Sequence, residues 1–283
     1  MKKLISALTL LIVLAVLAAC EKYVYDDSFE EDANLWISTS VQTESYTKSV
    51  RPLGELCSKI SFAIYQDGVR VKYVNQKTGD SNFGNVALSL APGHYSIVII
   101  GHSGASSATT TNINKIAFSS KVTDTFLYCE EMDIDDTQAN ITATLKRTVA
   151  MFRLVVTDDI PDNVARIKFY YTGGSSTLDA ETGLGCVESR QTEYREVTDG
   201  QKTFDIYTFP HSTTDHLKIT ITALDADDNP IAVKELNDVE VTVNMITRCT
   251  GNLFDGSGTA TFTKIGFDTN ADDEWDDIKD IQM

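Results

Sequence analysis

The side chains best suited to chemistry in this sequence are five cysteines and four histidines. Cys20 closes the run Leu17-Ala18-Ala19-Cys20, behind Met1-Lys2-Lys3 and the apolar stretch Leu4 to Val16. A basic start, an apolar middle and small residues before a cysteine make the pattern that bacterial lipoprotein signal peptidase cleaves. The freed thiol then takes a diacylglycerol, whose chains replace the leader as membrane anchor. Cys57, Cys129, Cys186 and Cys249 remain, an even number in an exported chain, which suggests disulfides. Of three pairings, Cys57 with Cys129 and Cys186 with Cys249 keeps each bridge inside one expected domain; four buried free thiols acting as small hydrophobes are the alternative. No CxxC is present, so zinc and dithiol redox chemistry lack their usual spacing.

The histidines give no better chemistry. His94, His102, His211 and His216 fall in expected turns or loops, and none forms HExxH. Gly101-His102-Ser103-Gly104 lacks the GxSxG of a nucleophile elbow and the strand-turn-helix it needs. Asp158 and Asp159 are adjacent, so in an extended strand they point to opposite faces. Asp268-Thr269-Asn270-Ala271-Asp272-Asp273-Glu274 begins like a calcium loop, but Asp273 stands where the sharp turn wants glycine and Lys279 where the bidentate glutamate belongs. No enzyme, metal or cofactor is therefore expected.

The charge balance excludes another class. With 24 Lys+Arg against 41 Asp+Glu in 283 residues the formal net charge is −17, and cleavage before Cys20 removes Lys2 and Lys3 to leave −19. Nucleic acid is not an expected partner, since phosphate contacts need a basic face. Anionic headgroups would not attract the chain either, which leaves acyl chains on Cys20 as the membrane attachment.

The elements that would position these residues read as strands. Residues 20–34 form an aperiodic acidic tether. Alternation then runs through Ile60, Phe62, Ile64; Val69, Val71, Tyr73; Val86, Leu88, Leu90; and Tyr95, Ile97, Ile99, with Asp67-Gly68 as a tight hairpin turn. Ser103 to Thr111 breaks the pattern and reads as an exposed loop or frayed edge. A second series starts near Ile141 and continues through Phe152, Leu154, Ile167, Phe169, Phe204, Ile206, Leu217, Ile219, Val239 and Val241, with Asp225 to Pro230 as a turn. No long amphipathic helix appears. The fold class is all-β, with β-sandwich domains at residues 35–144 and 145–254 and a C-terminal acidic segment at 255–283.

Certain stretches resemble the FimB-type fimbrillin-associated anchor family of type V pili: Leu145-Lys146-Arg147-Thr148-Val149-Ala150-Met151-Phe152-Arg153-Leu154, Ile160-Pro161-Asp162-Asn163-Val164, Tyr170-Tyr171-Thr172-Gly173-Gly174, and Asn244 to Phe254. The resemblance implies two tandem transthyretin-like β-sandwiches, outer-membrane attachment, and a role in anchoring, capping or limiting a fimbrial shaft through contact with other fimbrial subunits. It carries over no catalytic residues. In such pili the shaft subunits are trimmed by a surface protease while anchors keep their lipid. Arg51 is the only arginine between Cys20 and the alternation at Ile60, and Pro52 hinders tryptic cleavage there, which favours an anchor; a plain loop explains Arg51-Pro52 equally. Thr259-Ala260-Thr261-Phe262-Thr263-Lys264-Ile265-Gly266-Phe267 is a candidate edge segment for a neighbour, or simply part of the second domain. A surface glycan-binding lipoprotein is the rival reading, and it needs exposed aromatic platforms that neither Trp36 nor Trp275 supplies as a cluster.

Mass spectrometry of the membrane fraction is expected to find acylated Cys20 as the mature N-terminus. An unmodified terminus elsewhere would overturn the leader assignment.

Overall fold

The computed structural model describes residues 30, 32–41, 52–255 and 277–282. Cys20, Arg51, the segment Thr259–Phe267, the calcium-like loop and Trp275 lie outside them. Among the described residues helix is confined to a single turn, α1 (Leu53–Leu56).

The first alternating series folds as expected. β2 (Lys59–Gln66) and β3 (Val69–Lys77) form the antiparallel hairpin, and Asp67 and Gly68 turn it at φ 51° and 75°. Two positive values in succession suit the twist of the flanking strands. With β1 (Leu35–Val41), β4 (Asn85–Leu88), β5 (Gly93–His102), β7 (Thr125–Ile134) and β8 (Ala139–Arg147) they make one sheet in the order β3-β2-β5-β7-β8-β1-β4. β7 and β8 share only the rungs Phe126–Arg147 and Leu127–Lys146. The sheet turns over at this short seam, so β8, β1 and β4 close one layer over the other. Leu35, Ile37, Phe62, Val86, Ile97 and Leu145 fill the space between. The first strand thus precedes Arg51 in sequence.

β8 runs to Arg147 because Leu145 belongs to this first core. The change of sheet therefore falls at Thr148–Val149 rather than between residues 144 and 145. In the second half, β9 (Ala150–Val156), β14 (Thr203–Thr208), β17 (Met245–Gly251) and β18 (Asp277–Gln282) form the sheet β14-β9-β17-β18. Facing it is β13-β10-β15-β16, built from β10 (Arg166–Gly174), β13 (Ser189–Glu196), β15 (Thr214–Leu224) and β16 (Pro230–Thr242). Phe152, Leu154, Phe169, Ile219, Val241 and Cys249 pack between the two sheets. The Tyr170–Gly174 motif has a steric reason. Gly173 sits at φ 95°, and a Cβ there would lie 2.2 Å from the His216 carbonyl oxygen; only glycine lets the strands approach so closely.

Two features depart from the sequence reading. The end of the acidic segment is a strand: β18 pairs parallel with β17, and Ile281 enters the second core. The Ser103–Thr111 stretch is covered in part, with Ser107, Ala108 and Thr110 buried, Ser103, Ala105, Thr109 and Thr111 exposed, and the Tyr65 hydroxyl donating to the Thr110 carbonyl at 2.5 Å. What covers it is a third core shared by both halves: Tyr65, Val98, Ile100, Ala108 and Ile116 from the first meet Val149, Met151, Leu178, Phe209 and Ile246 from the second. A small sheet crosses the same boundary, joining β6 (Ile116–Ala117) to β11 (Thr177–Asp179) and β12 (Leu184–Gly185).

Arg147 ties this junction together. Its guanidinium makes a bidentate pair with Asp124, Nε to Oδ1 at 2.7 Å and Nη2 to Oδ2 at 2.9 Å. Nη1 donates to Asn244 Oδ1 at 3.1 Å, and the group lies 4.8 Å from the Phe126 ring centre. Asn244 holds the turn between β16 and β17 at φ 59° and donates its backbone N–H to the Val149 carbonyl.

At the rim of the shared core, His102 is buried beside Phe118, which stacks in turn on Phe209. Gly104 N–H donates to its Nδ1, while Nε2 has no partner among the described residues. Burial, with a smaller contribution from Lys59, pulls its pKa from 6.5 down to about 4. A histidine with a depressed folded pKa contributes full stability above the unfolded value and loses it as pH falls toward the folded one. His102 is expected to cost up to about 3 kcal/mol between pH 6.5 and 4. Denaturant melts of wild type and His102→Gln across that range check this: the variant should show the shallower slope, and parallel slopes would refute the assignment.

Candidate interaction site

The residues singled out for chemistry do not converge. All four described cysteines are free, and neither expected pair meets. Cys57 lies in the first core, whereas Cys129, opposite Val98, packs against the shared core. Cys249 is in the second core, while half-buried Cys186 donates from Sγ to Thr177 Oγ1 at 3.3 Å. Burial pushes the Cys57 and Cys249 thiols up to about 12, and Cys129 to about 11 with help from the carboxylates Glu181 and Asp179. These are packing residues rather than nucleophiles. The histidines are likewise dispersed: His94 pairs with Asp133 at 2.8 Å, His211 with Asp215 at 3.0 Å, and His216 with Asp238 at 3.0 Å. No group of three or more metal-ligating side chains occurs among the described residues.

What remains to offer a partner is backbone at the sheet edges. In the first half the edges are bridged by side chains. Gln76 of β3 accepts from Gly84 N–H at 2.8 Å and donates to the Asn85 carbonyl at 2.7 Å, and Lys72 donates to the Ser89 carbonyl at 3.1 Å. Glu30 at the end of the tether accepts from Ser89 N–H and from Lys72, both at 2.6 Å.

In the second half β18 is the last strand of its sheet, and its far edge pairs with no described strand. A row of charges crosses this sheet in register, Asp205 on β14, Arg153 on β9, Arg248 on β17 and Asp280 on β18. Both outer carboxylates make bidentate pairs with the arginine beside them, Arg153 Nε to Asp205 Oδ1 at 2.8 Å and Arg248 Nη2 to Asp280 Oδ2 at 2.8 Å. Two adjacent arginines repel unless each is matched, so Asp280 both neutralises Arg248 and fixes the register of β18. This row was hidden from sequence reasoning: Arg153 and Arg248 are visible only as isolated polar positions until the strand order is known.

The outer face of β13 and β10 carries a separate feature. Tyr194 and Tyr170 are 48% and 39% exposed. Tyr194 stands opposite Lys168, and Tyr170 opposite Thr192 and Thr220.

An all-β chain of this kind offers sheet edges and faces to other macromolecules. More particularly, it belongs to the family of fimbrillin-A associated anchor proteins Mfa1 and Mfa2, whose family model matches residues 25–276. That is a family of fimbrial anchors and not of enzymes, and membership gives the chain a fimbrial or surface-adhesin role in association with other fimbrial subunits. No curated protein matches in sequence. Among solved structures it is similar to the fimbrial anchor protein Mfa2 from Porphyromonas gingivalis (12% identity, 70% of this chain and 80% of that one, TM-score 0.41). It is also similar to a fimbrial assembly protein from Parabacteroides distasonis (11% identity, 79% and 91%, TM-score 0.44). A Bacteroides thetaiotaomicron protein provisionally described as polysaccharide-binding gives 9% identity, 72% and 80% coverage and a TM-score of 0.49.

Native protein treated with iodoacetamide at pH 8 is expected to leave Cys57 and Cys249 unlabelled. All four described thiols should label after unfolding without reductant. Recovery of a Cys57–Cys129 or Cys186–Cys249 peptide would contradict the free-thiol state.

Proposed function

We propose that the chain is an outer-membrane lipoprotein, held by lipid on Cys20, that serves as a fimbrial anchor or accessory (minor) subunit in pilus assembly. The observation that carries this reading is the family match across 25–276, which begins just behind the Leu17–Cys20 motif. Strand-edge contact is the physical means. An extended segment of another subunit adds to the edge of β18 that pairs with no described strand, where backbone N–H and C=O groups supply affinity and alternate side chains supply selection. The acidic tether gives the folded body reach from the membrane surface, since like charges extend a linker.

Glycan binding is the second reading, and Tyr170 with Tyr194 is the observation that favours it. Exposed tyrosine rings beside Lys168, Thr192 and Thr220 offer stacking surfaces together with hydrogen-bonding groups. The cleft of about 540 Å³ lined by Asp159, Pro161, Asp162, Asp199 and Lys202 has no aromatic wall and does not serve this purpose.

Deletion of the gene is expected to alter the length or cell retention of fimbriae, scored by electron microscopy and by shed fimbriae in culture medium. Unchanged fimbriae, together with glycan-array binding lost in a Tyr170→Ala/Tyr194→Ala variant, would replace the anchor reading with the glycan reading.

A further inference from the structure

The strand pairings differ in direction in a systematic way. β1 runs parallel to β8, from Leu35↔Ala139 to Val41↔Leu145. β17 runs parallel to β9, from Ile246↔Met151 to Gly251↔Val156, and β18 runs parallel to β17, from Met245↔Asp277 to Thr250↔Gln282. Every other pairing between described strands is antiparallel. The parallel seams all lie on the route between the two ends of the chain. The chain enters the first half at the start of β1 and leaves it at the end of β8; it enters the second at the start of β9, and β18 is its last described strand.

We infer that this arrangement is a tension-bearing path through the molecule, a mechanical function built on the anchor reading. In a parallel pair the start of one strand and the end of its neighbour lie at opposite ends of the seam. A pull on those two points slides the strands past each other along their own axes, so every rung from Leu35 to Val41 is strained at once. Pulling the two starts apart instead peels the pair one rung at a time. A single backbone hydrogen bond is weak in net terms, so sharing the load among rungs decides whether the seam holds. The same geometry recurs across β9, β17 and β18, with the incoming load at Ala150 and the outgoing load at Gln282.

Side chains reinforce both seams. β1 is gripped from its other side by β4, with Leu35 and Ile37 in the first core. Ser40 and Thr144 hydroxyls hydrogen-bond across the seam at 3.3 Å. Between β17 and β18 the Arg248–Asp280 pair and the buried Ile281 resist sliding. The shared core and Arg147 join the two seams in series, so load leaving β8 enters β9 without a loose joint.

Single-molecule pulling separates the two directions in one protein. Residues 20–283 with Cys20→Ser carry handles at both termini; a second form carries its internal handle on a tag inserted after Asp136, in the exposed turn beside the start of β8. Pulling the N-terminus against that turn loads the β1–β8 seam in peel. At equal loading rate the terminus-to-terminus form is expected to rupture at a force at least about twofold higher, because forced unfolding reports the barrier along the pulled direction rather than overall stability. Each rupture should lengthen the chain by about 3.5 Å per released residue. Circular dichroism and an unchanged terminus-to-terminus force in the tagged form confirm that the insertion leaves the fold intact. Equal forces in the two directions, or a lower force between the termini, would overturn the proposal while leaving the anchor reading to the deletion strain.

Discussion

A guanidinium taken out of water must be given partners, and Arg147 shows what that demand imposes. Its planar donors are met by both oxygens of Asp124 and by the Asn244 side chain, with the Phe126 ring alongside. These groups come from the bend just before β7, from β7 itself and from a turn nearly a hundred residues later. Stripping one partner from a buried ion pair costs roughly 3–5 kcal/mol, a large fraction of a domain's net stability. The start of β7, the link at Thr148–Val149 and the turn into β17 are thus held at fixed positions, and the shared core around Phe209 and Met151 closes over them. Two sandwiches joined by a flexible linker would move independently; these two share a hydrophobic interior.

How far the sequence could be read follows from which interactions are local. Ile60, Phe62 and Ile64 alternate because one face of β2 is buried, and Asp67-Gly68 announces its own turn. The strands of both sandwiches were legible for that reason. β18 was not: its acidic surroundings mask a strand whose burial shows only through Ile281 and whose charge at Asp280 is matched by an arginine far away in sequence. Ser103–Thr111 looked exposed because small polar residues carry no periodic signal, yet Tyr65 and the second half cover alternate parts of it while Ser103, Ala105, Thr109 and Thr111 stay exposed. Pairing direction is also invisible to alternation, since parallel and antiparallel strands share a period of two.

The site was less legible than the fold. Leu17–Cys20 is a local motif read from its residues alone, and it lies outside the described residues. An interaction edge has no such signature, because the functional groups are backbone amides common to all residues, and only strand order shows which of them lack a partner. The cysteines illustrate the opposite error. Their even number in an exported chain suggested cross-links, but Cys57 and Cys249 lie in two different cores and half-buried Cys129 packs against the third.

The place of β1 has a consequence for how the molecule is made. Its Ser40 meets Thr144, 104 positions later, so the first described strand to be made cannot find its main partner until more than a hundred further residues have followed. Such distant pairing is slow, and the apolar slot between β4 and β8 stays open in the meantime. Leu35 and Ile37 are therefore exposed for as long as the first half takes to appear. For β1 the order of synthesis and the order of assembly run in opposite directions.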